Sequence, residues 1–164
     1  MKTLNVLIAS SDRASANRIE ALLRDVCFER VMVDCKRSAQ IGDIEKHARV
    51  GWTDLTILSP DHLLSSSRQR GFPQVMAESL HLIRHIRKQT LMPFIAFGVS
   101  AEDTTPVLDA GVETVLGPLW NADYFKNELE RILRLPGRVE ERPEPSRWQL
   151  LGNLLRGLPL KGSA

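Results

Sequence analysis

The chain has 164 residues, enough for one domain with a sizeable core and a tail. Its 43% hydrophobic and 26% charged residues suit an ordinary globular protein, and a net charge of +2 is too near balance to predict nucleic-acid binding. No apolar stretch is long enough to span a bilayer, and the short N-terminal apolar run lacks a signal-peptide cleavage pattern, so a cytoplasmic protein without a membrane partner is expected.

Val6, Leu7, Ile8 and Ala9 form a nearly continuous apolar run, the pattern of a strand covered on both faces. The run stops at Ser10, Ser11 and Asp12, and Asp12 is placed to cap a helix. Ala16, Ile19, Leu22, Leu23 and Val26 then recur at helical spacing and predict a helix over about 13–26. Val31, Val33 and Cys35 alternate with Met32 and Asp34 as a second strand. Cys27 and Cys35 have no second pair, so no zinc site is expected and both read as buried, reduced thiols. A weaker helix is expected from Ser38, with Ile41, Ile44 and Ala48 facing inward until Gly51 breaks it.

Asp54 to Leu58 is the expected third strand, ended by Ser59 and Pro60. A long polar connection follows, through Ser65, Ser66, Ser67, Arg68, Gln69, Arg70 and Gly71. Leu80, Leu82, Ile83 and Ile86 mark the apolar face of a third helix, and Pro93 to Phe97 the fourth strand, closed by Gly98. Pro106 belongs in the first turn of a short helix starting at Thr104 or Thr105 and closed by Gly111. Val112 to Leu116 is the fifth strand, and Gly117-Pro118 turns the chain. Asn121 caps a last helix carrying Phe125, Leu129, Ile132 and Leu133, with Asp123 near its start and Arg131 and Arg134 near its end, in accord with the helix dipole.

Strands alternating with helices predict an α/β fold: a doubly wound, five-stranded parallel sheet with right-handed crossovers. In such a sheet the carboxyl ends of the strands open onto the crevice where ligands bind. What stands at Ser10, Ser11 and Asp12, after the first strand, therefore decides much of the function.

The order and spacing of these segments resemble the receiver (CheY-like) domain of two-component response regulators. Asn5 to Arg13 is similar to its opening strand and acidic turn, and Asp54 to Ser59 to the strand that carries its phosphoacceptor. Ser79 to Arg87 is similar to its third helix, Pro93 to Gly98 to its fourth strand, and Pro118 stands in the place of its Lys-Pro turn. The resemblance spans roughly residues 3–135 and implies a flavodoxin/CheY-like sheet of strand order 2-1-3-4-5.

The departures bear on function. In the family, a pair of acids and an acceptor Asp hold Mg²⁺ and receive a phosphoryl group with help from a Lys. By the resemblance the acid pair falls on Ser10 and Ser11, the acceptor on Ser59, the reporting Thr or Ser on Gly98 and the Lys on Gly117. The switch aromatic has no counterpart at Thr114 or Val115. Hydroxyls are uncharged at neutral pH, so three serines do not replace three carboxylates around Mg²⁺. Asp12 and Asp61 remain as candidate crevice residues, the first read chiefly as a helix cap. No metal and no cofactor are expected.

Other patterns carry less. His81 and His85 share a helix face, but the zinc-protease pattern needs Glu where Leu82 stands, so a solvated face is expected. The serines lie in no Gly-x-Ser-x-Gly elbow, and only His62, by proximity in sequence, is near Ser59; no catalytic residue is assigned and no enzyme is expected. No glycine-rich phosphate loop follows the first strand.

Three parts are expected: a receiver-like domain over 1–135, a Pro- and charge-rich linker over 136–146, and a tail over 147–164. Trp148, Leu151, Leu154, Leu155 and Leu158 make one apolar stripe on a short tail helix, which either folds back on the domain or docks on a partner. The function expected is a degenerate receiver that acts as a protein-interaction module without phosphorylation. Its partner, another protein or a second copy, would meet residues 105–134, the tail helix or both, with Trp120, Tyr124, Trp148, Leu151 and Leu155 as candidate contacts. The alternative is a sensor whose serine-lined crevice takes a neutral or anionic small molecule.

Overall fold

A computed structural model describes residues 2–64 and 72–135. The elements run β1 (Thr3–Ala9), α1 (Arg13–Cys27), β2 (Met32–Ser38), α2 (Ile41–Arg49), β3 (Leu55–Leu58), α3 (Phe72–Arg87), β4 (Phe94–Ala96), α4 (Thr104–Asp109), β5 (Thr114–Val115) and α5 (Ala122–Leu133). The sheet order is β2-β1-β3-β4-β5, and every pairing is parallel. This is the order that the resemblance implies.

The two-residue period of the strands divides the core. Leu4, Val6 and Ile8 of β1, with Leu55 and Ile57 of β3, face α1 and α5, where Ile19, Leu23, Phe125 and Leu129 cover them. Leu7, Ala9 and Leu58 face the other way, against Ile41 and Ile44 of α2, Ile83 and Ile86 of α3 and Val107 of α4. Both faces are therefore dry, which is why Val6–Ala9 of β1 reads as a continuous apolar run and β3 is apolar but for the buried Thr56. Each fully buried side chain such as Phe94, Phe97 or Phe125 contributes roughly 1.5–3 kcal/mol from burial alone.

Three local expectations change. Ser38 closes β2 instead of starting α2: its hydroxyl accepts from Gln40 N (3.0 Å) and donates to Asp43, and the helix begins at Ile41. The ladder of β5 is confined to Thr114–Val115, because β4, its one partner, offers only three residues. Cys35 is half-buried, because β2 is an edge strand, whereas Cys27 is buried as expected; both are free thiols, and burial pushes each up to about 11. The expectations for the polar connection at 65–71, the linker over 136–146 and the tail with Trp148, Leu151 and Leu155 lie outside the described residues.

Candidate functional site

The carboxyl ends of β1, β3 and β4 come together at one edge of the sheet. Ser59 N donates to Ala9 O (3.0 Å) and Phe97 N to Leu58 O (2.9 Å), so the three chain ends are tied side by side. Ser10 N donates to Ser38 O (2.9 Å) and Ser11 N to His62 O (2.6 Å), which fastens the turn after β1 to those after β2 and β3. The turn after β3 closes on itself through His62 N to Ser59 O (3.1 Å). From α3, the Ser79 hydroxyl shares its one proton between Val75 O of its own helix (2.8 Å) and Pro60 O of the turn (3.2 Å).

Ser10 and Asp12 are used locally. Ser10 Oγ accepts from Asp12 N (3.0 Å), and Asp12 Oδ1 accepts from Ala14 N (3.1 Å) and Ser15 N (3.4 Å) at the start of α1. Ser15 Oγ donates to Asp12 Oδ2 (2.6 Å), and this bond above all holds the Asp12 carboxyl below its ordinary range. The expected cap is present, and it turns this carboxylate toward the helix. Ser11 is exposed.

Ser59 is 0% exposed, and its Oγ has no hydrogen-bond partner among the described residues. Gly98 faces it: a Cβ built there would stand 3.5 Å from Ser59 Oγ, and the residue has a left-handed φ of +68°. Gly117 sits at the same edge, where Val99 N bonds Leu116 O (3.0 Å) and a Cβ on Gly117 would lie 4.0 Å from Val99 O. Asp61 has a buried Oδ1 without a partner among the described residues. Burial raises its pKa, the nearby Asp103 carboxylate raises it further, and His62 acts the other way.

The fold thus gathers Ser10, Ser11, Asp12, Ser59, Asp61, Gly98 and Gly117 at one edge. It adds Asp103, which accepts from Ser100 Oγ (2.9 Å) at the entrance to α4. The signal for Asp103 was present as an acid ahead of Thr104 and Pro106, but its approach to Asp61 joins segments far apart in the chain. The Ser59 hydroxyl makes no bond to the His62 imidazole; the two residues meet through their backbones.

Trp120 corrects the expected contact surface. It is 8% exposed, packs on Phe125 with ring centroids 5.4 Å apart, and carries the Arg18 guanidinium 3.9 Å above its ring. It is part of the core beneath α1 and α5, not a free anchor. Its neighbour Leu119 is 98% exposed instead, with Leu108 and Tyr124 about half exposed on α4 and α5. His81 and His85 are exposed on α3 and border a hollow of about 330 Å³ shared with Glu45 and Glu78.

No protein-family model matches the sequence, and no curated protein matches it. Solved structures do. The receiver domain of NtrX from Brucella abortus is similar with a TM-score of 0.61 at 14% identity, over 79% of this chain and 98% of that one. A CheY-like response regulator receiver domain protein from Methanospirillum hungatei gives 0.58 at 18% identity, over 81% and 96%. The receiver domain of a sensor histidine kinase from Pseudomonas aeruginosa, which has a magnesium ion coordinated in its active-site cleft, gives 0.59 at 16%, over 80% and 98%. At these identities the likeness establishes the fold, and the chain has the receiver, or CheY-like, fold.

That fold implies a magnesium ion at this edge, and the residues present do not fit one. Mg²⁺ needs near-octahedral oxygen ligands with carboxylate charge. Ser10, Ser11 and Ser59 supply none, Asp12 is engaged at the helix, and Asp61 and Asp103 are, among the described residues, a pair without a third acid beside them. Among the described residues, no three His, Cys, Asp or Glu side chains gather into a group able to hold a metal ion.

Proposed function

We propose that this chain is a degenerate receiver: a signalling module that binds a protein partner without being phosphorylated, and not an enzyme. The observation that carries the reading is Ser59. It stands at the end of β3, where the resemblance puts the phosphoacceptor Asp, and it is an uncharged hydroxyl with 0% exposure. A buried hydroxyl with no base bonded to it among the described residues is not activated to attack a phosphoryl group, and an uncharged oxygen brings no charge to a divalent ion. Ser10 and Ser11 in place of the acid pair, Gly98 in place of the reporting hydroxyl and Gly117 in place of the Lys support the same reading.

The contact surface fits the α4–β5–α5 side, within residues 105–134. Leu119, Leu108 and Tyr124 put apolar surface into water there, and exposed apolar and aromatic side chains are the usual anchors of an interface. The partner is a second copy or another protein, and the tail beyond residue 146 is a further contact. Among the described residues no helix is long and apolar enough to cross a membrane, and the proposed setting is cytoplasmic.

Incubation with Mg²⁺ and acetyl phosphate tests the reading. The intact mass should stay unchanged. A hydroxylamine-labile, phosphoryl-sized increase would overturn it.

A further inference from the structure

The sheet has one long open edge. At one side β5 offers only two residues. At the other, β2 pairs with β1 over all seven of its residues and has no strand beyond it among the described residues. Met32 N donates to Lys2 O (3.0 Å) and Ser38 O accepts from Ser10 N (2.9 Å), so the even-numbered residues of β2 turn their peptide groups to β1. Alternation then turns the N–H and C=O of Val33, Cys35 and Arg37 outward. Arg24 Nη1 donates to Val33 O (3.3 Å), in accord with that direction, and leaves the oxygen a second lone pair. No other outward peptide group of β2 has a partner among the described residues. The usual devices that close an edge are missing, for the strand holds no Pro and no bulge. Two of its charges are drawn onto the faces of the sheet: Arg37 bonds Glu20 and Asn17 on α1, and Lys36 Nζ lies 4.1 Å from the centroid of the Trp52 ring.

We infer that this edge pairs with β2 of a second copy of the chain, antiparallel and two-fold about Cys35, and joins two five-stranded sheets into one. An antiparallel ladder sets outward residues opposite outward residues, so the two-fold axis passes at a residue and never between two. An axis at Cys35 uses the whole strand, because Cys35 is the middle of Met32–Ser38. It sets Val33 opposite the partner's Arg37, with their peptide groups facing. It also sets Asp34 opposite the partner's Lys36 on each side of the axis, in the closely spaced pairs where side chains meet. An axis at Asp34, Lys36 or Arg37 puts like charges opposite each other, which destabilises a sheet. An axis nearer either end shortens the ladder. The strand is thus its own complement in length and in charge, which selects a second copy over a foreign strand. Such a contact is isologous and consumes both long edges, and β5 is too short to continue the sheet, so a closed dimer forms instead of a filament. The contact lies at the far edge of the sheet from β5. It rests neither on the α4–β5–α5 surface nor on whether the chain is phosphorylated.

Sedimentation equilibrium and amide hydrogen exchange on the full chain, at up to about 1 mM, test this. A concentration-dependent dimer is expected. The amides of Val33, Cys35 and Arg37 should exchange more slowly as it forms, whereas β1 protects those of Asp34 and Lys36 at every concentration. Asp34→Lys and Lys36→Asp should each weaken the dimer about tenfold, because attraction becomes repulsion on both sides of the axis. Combining the two substitutions sets opposite charges face to face again and should restore the dimer. Circular dichroism should show these variants folded, since both side chains are exposed. A Leu119→Ser, Tyr124→Ala background removes the other proposed surface and should leave the β2 dimer intact. Four results would each overturn the pairing: a monomer throughout, exchange at Val33, Cys35 and Arg37 that ignores concentration, a double variant no tighter than the singles, or loss of the dimer in the Leu119→Ser, Tyr124→Ala background. The acetyl phosphate experiment reads the phosphorylation question separately, so the two failures are distinguishable.

Discussion

The Arg18 guanidinium lies 3.9 Å from the centroid of the Trp120 ring, on a side chain whose ring also meets Phe125 at 5.4 Å. Arg18 thus closes over the aromatic pair that joins α1 to α5. Trp120→Ala should cost about 3–5 kcal/mol by urea unfolding, the range for emptying a buried aromatic site. Arg18→Ala should cost about 0.5–1 kcal/mol, the worth of an exposed cation over a ring. Equal losses would mean that the guanidinium, not the indole, holds the contact.

The exposed leucines and tyrosine should behave in the opposite way. Leu119→Ser and Tyr124→Ala should change stability by no more than about 0.5 kcal/mol, because their surface is already in water. Light scattering after size-exclusion chromatography, or capture of a defined partner, should show weaker association in both. Loss of stability with unchanged association would move the contact surface elsewhere.

Asp12 gives an acid-side prediction. Its carboxyl is held below the ordinary range, chiefly by Ser15, so its contribution is fully present above the unfolded-state pKa and is lost as pH falls through the lower folded value. Asp12→Ala should cost about 1 kcal/mol at neutral pH, the worth of a helix cap, and should flatten the acid limb of stability against pH. Asp12→Asn retains capping without the charge. It should recover most of the neutral-pH loss and leave the acid limb flat.

Asp61 has the reverse sign. Burial raises its folded pKa, so the native state holds the proton more tightly than the unfolded chain does. Stability therefore falls as pH rises from the unfolded value through the folded one, and the deficit persists at neutral pH. Asp61→Asn should raise Tm at pH 7 and leave it unchanged well below the ordinary carboxylate range. A lower Tm at pH 7 would show that the charged carboxylate is already satisfied.

Restoring the acids tests the placement of the crevice. The triple variant with Ser10→Asp, Ser11→Asp and Ser59→Asp crowds three carboxylates at one edge, one of them in a site with 0% exposure. It should be less stable than the parent without divalent ions, through burial of charge and mutual repulsion. Mg²⁺ should then raise its Tm while leaving the parent unmoved. A triple variant blind to Mg²⁺ would mean that the three positions do not converge on one ion.

The fold was legible because both of its faces are dry. Covered strands carry few polar groups, so Val6 to Ala9 and Leu55 to Leu58, with Thr56 its one polar residue, announced themselves, and Asp12 and Asn121 marked helix starts by supplying carboxylate or amide oxygens to free N–H groups. Boundaries were less legible where the partner strand decides: β5 ends where β4 runs out, and Ser38 bonds as the end of a strand instead of the start of a helix.

The candidate site divides along the same line. Sequence alone determined which chemical groups stand after β1 and β3, because that follows from strand order and from the identity of Ser10, Ser11 and Ser59. Tertiary structure alone decided that Ser59 is buried, Ser10 bonded to the turn and Ser11 exposed. Leu119 and Trp120 are adjacent apolar residues, and only the packing of α5 against α1 sends one into water and the other under Arg18. Asp61 and Asp103 are far apart in the chain, and only the parallel stacking of β3 beside β4 sets their carboxylates against each other. Local sequence fixes what a residue can offer, whereas burial and charge depend on long-range neighbours that no local pattern encodes.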